Sequence, residues 1–350
     1  MRRIALILTI TALFISCSRN DESDFEKHFY DKTLRINLIH TGDASSETFM
    51  LDKLYDDGLW YGRTNKMVNP YCLGKYFFEV RDTETNELIY SDGISTFFSN
   101  WRLTDEAKNT KKSFQESIRI PYPKENAILT MYRIDSLDVT EPVWEYSIDR
   151  KTKAFMEPAK NHNNRIVRLL DSGNPKEKID IVILGDGYNQ NEIKNFDADA
   201  LYFYNLLMET EPFKSRKSDF NVHAIQVKPN KNGINTMTNR GVFGYENYAL
   251  AQDEWTFRKY AVQSPYDYVV ILLNDKNNIG GSLYNLYTIT AVRSQSDDFI
   301  IRHELGHQIV GDADKFYSND AANDSTMYYY DDFEDITNKI LDLHTKKHVE

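Results

Sequence analysis

Two histidines four positions apart with a glutamate between them, His303-Glu304-Leu305-Gly306-His307, carry the clearest chemistry in this chain. On a helix, positions i and i+4 share a face one turn apart. Both imidazoles can therefore converge on one metal ion while Glu304, rotated by one residue, reaches the ion's open side. Zn²⁺ takes neutral imidazole nitrogens, and three protein ligands leave a fourth position where water loses a proton near neutral pH. Glu304 is placed to accept that proton during attack on a carbonyl and to return it to the leaving amine. A chance His-Glu-x-x-His is expected about once in a hundred chains of this composition, so the flanking residues must carry part of the argument.

Those flanks read as a helix. Ser294, Ser296 and Asp297 are N-cap types, Phe299 and Ile300 open an apolar stripe, and Gly311 suits the point where the chain must turn. A turn at Gly311 swings the next residues back toward the metal, which makes Asp314 the first choice for third ligand and Asp312 the fallback. A layout with the third ligand on a later helix would use Glu334. The alternative to a metal site is an ordinary amphipathic helix with hydrogen-bonded histidines.

The elements that must position this motif lie upstream. Residues 179–184 form a nearly continuous apolar run ending in Gly185-Asp186-Gly187-Tyr188, a buried central strand and tight turn. Ile193, Phe196, Ala200, Phe203 and Leu207 then fall on one helical face. Strands are expected at 220–227, 268–273 and 287–292. The order strand, helix, strand, strand, metal helix predicts a three-layer α/β domain. Asp186 reads as a cap for the turn or the next helix. Gly280-Gly281-Ser282 admits two readings: an edge strand where an extended substrate's backbone approaches closely, or a hairpin turn.

Residues 25–153 have another rhythm. Short alternating runs at 34–38, 76–80, 117–120, 128–132 and 143–148 predict an antiparallel β-sandwich, with Trp60, Trp101 and Trp144 as core aromatics. The polar stretch 154–164 reads as a linker to a second domain over 165–350. With 350 residues, 41% of them hydrophobic, the chain can build two cores. A net charge of −11, with 42 basic residues scattered among 53 acidic ones, excludes the basic stripe that nucleic-acid binding needs.

The first residues describe an export signal: Arg2 and Arg3, an apolar run from Ile4 to Ile15 too short to span a bilayer, then Ser16-Cys17. Residues 13–17 resemble a bacterial lipobox with Phe14 where Leu is usual. That predicts lipidation of Cys17, a tether over 18–24 and a protein anchored in the cell envelope. Asp21, Glu22 and Asp24 just after the Cys resemble the acidic signals that send some lipoproteins to the outer face of the outer membrane. Cys72 is then left without a disulfide partner.

Four stretches resemble the IgA-peptidase family of bacterial zinc metallopeptidases, including its N-terminal β domain. They are residues 98–107 with Ile120-Pro121-Tyr122-Pro123-Lys124; residues 180–188; Glu211-Pro212-Phe213 with Phe220-Asn221-Val222; and the motif through Gly311 to Ala313-Asp314. The resemblance implies a zincin-like α/β catalytic domain preceded by an antiparallel β-sandwich domain. It also implies Zn²⁺ on His303, His307 and Asp314, Glu304 as catalytic base, and endopeptidase action on protein or peptide substrates. Met327 is a candidate for a methionine turn beneath the metal, and Tyr328 for polarising the oxyanion. The chain departs from the family pattern at Val310, where Gly is common, at Lys315, where Glu is, and at Phe316, where Tyr is. Those departures motivate a second reading, a binding or scaffold lipoprotein on a peptidase fold.

Overall fold

A computed structural model describes residues 21–134, 140–149, 151, 156–159, 163–229, 236–293, 297–311 and 329–344. The chain is mostly β, with several sheets and some helices. In the N-terminal half, α1 (Asp21–His28) leads into β1 (Phe29–Gly42), β2 (Glu47–Asp56), β3 (Tyr76–Asp82) and β4 (Leu88–Ile94). The short helix α2 (Phe97–Trp101) follows, then β5 (Lys112–Pro123), β6 (Ala127–Ile134), β7 (Thr140–Ile148) and β8 (Met156–Pro158). Two four-stranded sheets form, ordered β5-β1-β2-β8 and β4-β3-β6-β7. All their pairings are antiparallel except β2 with β8, which draws part of the expected linker into the first sheet.

Alternation explains how these sheets meet. Leu34, Ile36, Leu38 and His40 lie on one face of β1, and Tyr76, Phe78 and Val80 on one face of β3, all buried. His40 and Tyr76 make an edge contact at 5.6 Å between ring centroids, and Phe49 meets Tyr76 at the same distance. His40 is also enclosed by the Phe49 and Phe98 rings, each 3.8 Å away. Its Nδ1 bonds Glu116 at 2.7 Å and its Nε2 bonds Glu47 at 3.0 Å.

The second half contains β9 (Arg165–Asp171), β10 (Ile179–Asp186), α3 (Ile193–Met208), β11 (Phe220–Gln226), β12 (Asn239–Arg240), β13 (Ala249–Leu250) and α4 (Glu254–Ala261). It continues with β14 (Tyr268–Leu273), β15 (Gly280–Leu283), β16 (Tyr287–Ala291), α5 (Asp297–Val310) and α6 (Tyr329–His344). Six strands form one sheet ordered β15-β16-β14-β10-β11-β9, and β12 pairs with β13 separately. The pairs β10–β11, β10–β14 and β14–β16 are parallel; β9 and β15 close the two ends antiparallel. The fully buried run of β10 suits a central strand covered on both faces.

Those faces join different cores. Ile181, Ile183, Val270 and Leu272 pack with Phe196, Phe203 and Leu207 of α3, Leu305 and Ile309 of α5, and Leu341 of α6. Val182, Leu184, Val269 and Ile271 pack with Phe257 of α4 in a core that continues into the N-terminal sheets. The Ser117 N–H and hydroxyl both donate to buried Glu254, at 2.8 and 2.9 Å, and Trp255 Nε1 donates to the Glu116 carbonyl at 2.9 Å. The two halves are therefore fastened by buried hydrogen bonds as well as by apolar contact.

Among the described residues, no helix is long and apolar enough to cross a membrane. Cys72 carries a free, exposed thiol.

Candidate metal centre

Helix α5 places the sequence motif as its spacing requires. Its inner face sends Ile301, Leu305 and Ile309 into the core, while Gln308, 1% exposed, stitches it to the sheet. Gln308 Oε1 accepts from Thr288 Oγ1 at 2.8 Å, its Nε2 donates to the Val269 carbonyl at 3.2 Å, and its own carbonyl accepts from the Asn285 N–H at 2.9 Å. Gly311 ends the helix at φ +91°, a left-handed conformation that suits glycine, and its N–H returns to the His307 carbonyl at 3.1 Å.

The imidazoles of His303 and His307 meet at 3.2 Å between their Nε2 atoms, with the rings nearly perpendicular. His307 Nδ1 lies 3.2 Å from the Gly311 carbonyl, an acceptor that orients the ring with Nε2 toward His303. Two nitrogens bound to one tetrahedral zinc stand about 3.3 Å apart. The pair fits a metal of that kind.

Glu304 is 8% exposed on the same helix. Its carboxyl occupies the space a side chain at Gly280 would fill: a Cβ there would stand 2.8 Å from Glu304 Oε1 and 2.9 Å from its Cγ. His303, Glu304 and His307 line one cavity of about 270 Å³.

The opposite wall belongs largely to the N-terminal half. Gly74, Lys75, Ser95 and Asn100 line the cavity, joined by Tyr248, Ser282 and Tyr284. Asn100 sits on α2, which starts from a reciprocal capping box between Thr96 and Ser99. Its side-chain N–H donates to the Tyr248 hydroxyl at 3.4 Å. Tyr284 is tied in through the Ser95 N–H, which donates to its carbonyl at 3.1 Å, and burial pushes its phenol pKa up, so it stays protonated. None of these residues forms a motif with α5 along the sequence. Only the fold brings them together.

The glycines at 280 and 281 lie in β15, at the end of the sheet. The edge is partly taken by the chain itself. Gly280 N–H donates to the Asn247 carbonyl at 3.1 Å, and a Cβ on Gly281 would stand 2.0 Å from the Ala249 carbonyl oxygen. Gly281 thus accommodates the chain's own backbone, and Gly280 accommodates Glu304. Because Gly280 points its N–H away from β16, strand alternation turns the Ser282 N–H and carbonyl outward too. The chain's own 247–250 segment runs parallel along this edge, with Tyr248 bridged to Gly280.

Asp312, Asp314, Met327, Tyr328 and Cys17 lie outside the described residues, and Glu334 lies on α6 where the backbone alone is described. Among the described residues, no group of three or more His, Cys, Asp or Glu side chains is arranged to hold a metal. Asp186 caps neither its turn nor α3: its carboxylate accepts from the Met237 N–H at 2.7 Å and the Thr238 hydroxyl at 2.5 Å. It anchors the segment that leads to the 239–250 loop.

Comparison with known families gives two matches. Residues 24–145 match Peptidase M64 N-terminus, and residues 167–348, more than half of the chain, match IgA Peptidase M64. No curated protein matches the chain.

Proposed function

The chain belongs to the IgA Peptidase M64 family, a family of peptidases, and on that premise we propose that it is a zinc-dependent endopeptidase acting outside the cell. His303 and His307 hold the metal, with Asp314 as third ligand ahead of Asp312 and Glu334. The six-stranded sheet between α4 on one face and α3 and α5 on the other is read as a zincin-like three-layer domain. Zinc bound there supplies Lewis acidity, polarising the scissile carbonyl and making water a nucleophile at neutral pH.

The protein's own groups do the rest. The Glu304 carboxylate takes a proton from the attacking water and passes it to the leaving amine nitrogen. Gly280 leaves the room in which that carboxylate sits. The Tyr248 hydroxyl, held by Asn100, faces the same cavity and donates to the substrate's carbonyl oxygen. An extended peptide lies in the cavity between α5 and Tyr248, beside the β15 edge. Lipidation at Cys17 anchors the protein at the outer membrane.

The observation that carries this reading is the 3.2 Å approach of the two Nε2 atoms, with His307 Nδ1 satisfied by the Gly311 carbonyl and Glu304 in the same cavity. Glu304→Gln keeps the metal and abolishes peptide hydrolysis; near-normal turnover by that variant contradicts the role given to Glu304. A second reading, a binding or scaffold lipoprotein, draws on the occupation of the Gly280 edge by the chain itself and on Val310 and Lys315. Tight peptide binding with no hydrolysis by the metal-loaded chain favours it.

A further inference from the structure

Beside the catalytic cavity lies a larger cleft of about 1360 Å³, lined by residues from 97–106 and 112–115 and by residues from 239–245 with 252–253. The two are neighbours: Asn100 lines both, and its side chain donates to the hydroxyl of Tyr248 in the catalytic cavity.

Its surface has an unusual composition. Leu103 is 73% exposed and Tyr245 70% exposed, the two most exposed large apolar side chains among the described residues, and both line this cleft. Scattered exposed apolar residues are ordinary, but two that line one cleft make it a candidate binding surface. Phe243 lines the same cleft and is held at φ +58° between Gly241 and Gly244, which are also at positive φ. Its ring meets Phe97 at 5.3 Å and Tyr248 at 6.1 Å. A bulky residue in that backbone region is strained, and such strain persists where the surroundings fix it, commonly at ligand sites.

The charged groups here are already engaged. Lys112 pairs with Glu106 at 2.6 Å, Lys108 with Asp105 at 2.6 Å, and Arg240 with Asp275, while Asp253 caps α4 by accepting the Thr256 N–H at 3.1 Å. With those charges compensated, selection falls to apolar and aromatic contact.

We propose that this cleft is an extended subsite that binds apolar and aromatic side chains of an unfolded polypeptide substrate, beyond the residues that flank the scissile bond. The assignment rests on the peptidase reading and deepens it: the preferred substrate is a long, extended chain rather than a short peptide. The N-terminal half supplies one wall and thereby acts as a specificity element.

The test uses the purified metal-loaded chain and the double variant Leu103→Ser, Tyr245→Ser, whose changes lie on exposed side chains. Both are given denatured casein, and cleavage sites are read by mass spectrometry. The parent is expected to cut where Phe, Tyr, Trp or Leu stands several residues from the scissile bond. The variant loses that enrichment, and its KM for a long fluorogenic peptide carrying such residues rises about tenfold, while kcat/KM for a short peptide lacking them stays unchanged. An unaltered cleavage profile and KM in the variant overturn the proposal.

A second arm reads the cleft without turnover. Immobilised Glu304→Gln chain, exposed to a partial digest of casein, retains long apolar and aromatic peptides, and retention drops when the two Ser substitutions are added. Equal retention with and without them overturns the subsite. Retention that depends on Leu103 and Tyr245, together with no hydrolysis by the metal-loaded parent, supports the subsite and defeats the peptidase reading instead.

Discussion

Replacing Gly280 by alanine adds one methyl group at the most crowded point of the site. The new Cβ would stand 2.8 Å from Glu304 Oε1, 2.9 Å from Glu304 Cγ and 2.9 Å from Ile300 Cγ2. Relaxed contacts between carbons are about 3.5–4.0 Å, so something must move by roughly 0.6–1 Å. The backbones cannot easily give way. Helix α5 is tied to the sheet by three hydrogen bonds of Gln308, and β15 is paired on one side with β16 and on the other with Asn247. The Glu304 carboxylate is left to swing aside. A misplacement of about 1 Å in a catalytic group costs on the order of a hundredfold in rate, or about 2.7 kcal/mol of barrier. The imidazoles are not among the nearest neighbours of that methyl, so the metal stays. Hydrolysis of a fluorogenic peptide and metal content, measured together on Gly280→Ala, check this. Activity within twofold of the parent at unchanged metal content refutes the steric argument.

The neighbouring glycine behaves differently. In Gly281→Ala the methyl meets a backbone oxygen, that of Ala249, at 2.0 Å, so the 247–250 segment must leave the edge. The expected result is a loss of stability of about 1–3 kcal/mol, read by thermal or denaturant unfolding, and an unchanged midpoint counts against it. Stability also carries a pH signature. Burial, then the negative charge of Glu116, raises the Glu254 pKa well above 4.5, so this carboxyl stays protonated in the fold while the unfolded chain ionises it. Stability therefore falls as pH rises above about 4.5 toward the folded pKa, and Glu254→Gln flattens that fall. An unchanged slope contradicts the assignment. For His40, burial acts to lower the pKa, but the charge and bond of Glu116 and the bond of Glu47 outweigh it, so the pKa is raised. Its contribution is full below pH 6.5 and fades as pH rises through the folded value, so His40→Gln, followed by denaturation midpoint against pH, loses most stability in mild acid.

The parts of this account legible in the sequence were those governed by local pattern. The apolar run of β10, the one-sided helix α3 and the His303-Glu304-x-x-His307 spacing each identify their element within a few residues. Where contacts join distant residues, the sequence was silent. Nothing along the chain says that Asn100 stands beside His303, or that Met156–Pro158 adds to β2. The Gly280-Gly281 pair shows the difference well. Close approach was the right reason for glycine there, but the approaching groups are the Glu304 carboxyl and the Ala249 backbone. Asp186 likewise reads locally as a cap because its partners, Met237 and Thr238, lie some fifty residues downstream.

The most direct test of the central claim is the zinc content of the purified chain beside its His303→Ala, Asp314→Ala and Asp312→Ala variants. About one zinc per chain, lost in the first two variants and kept in the third, is the predicted result. A parent chain that takes up no zinc after reconstitution, or a His303→Ala variant that binds it as well as the parent does, contradicts the account.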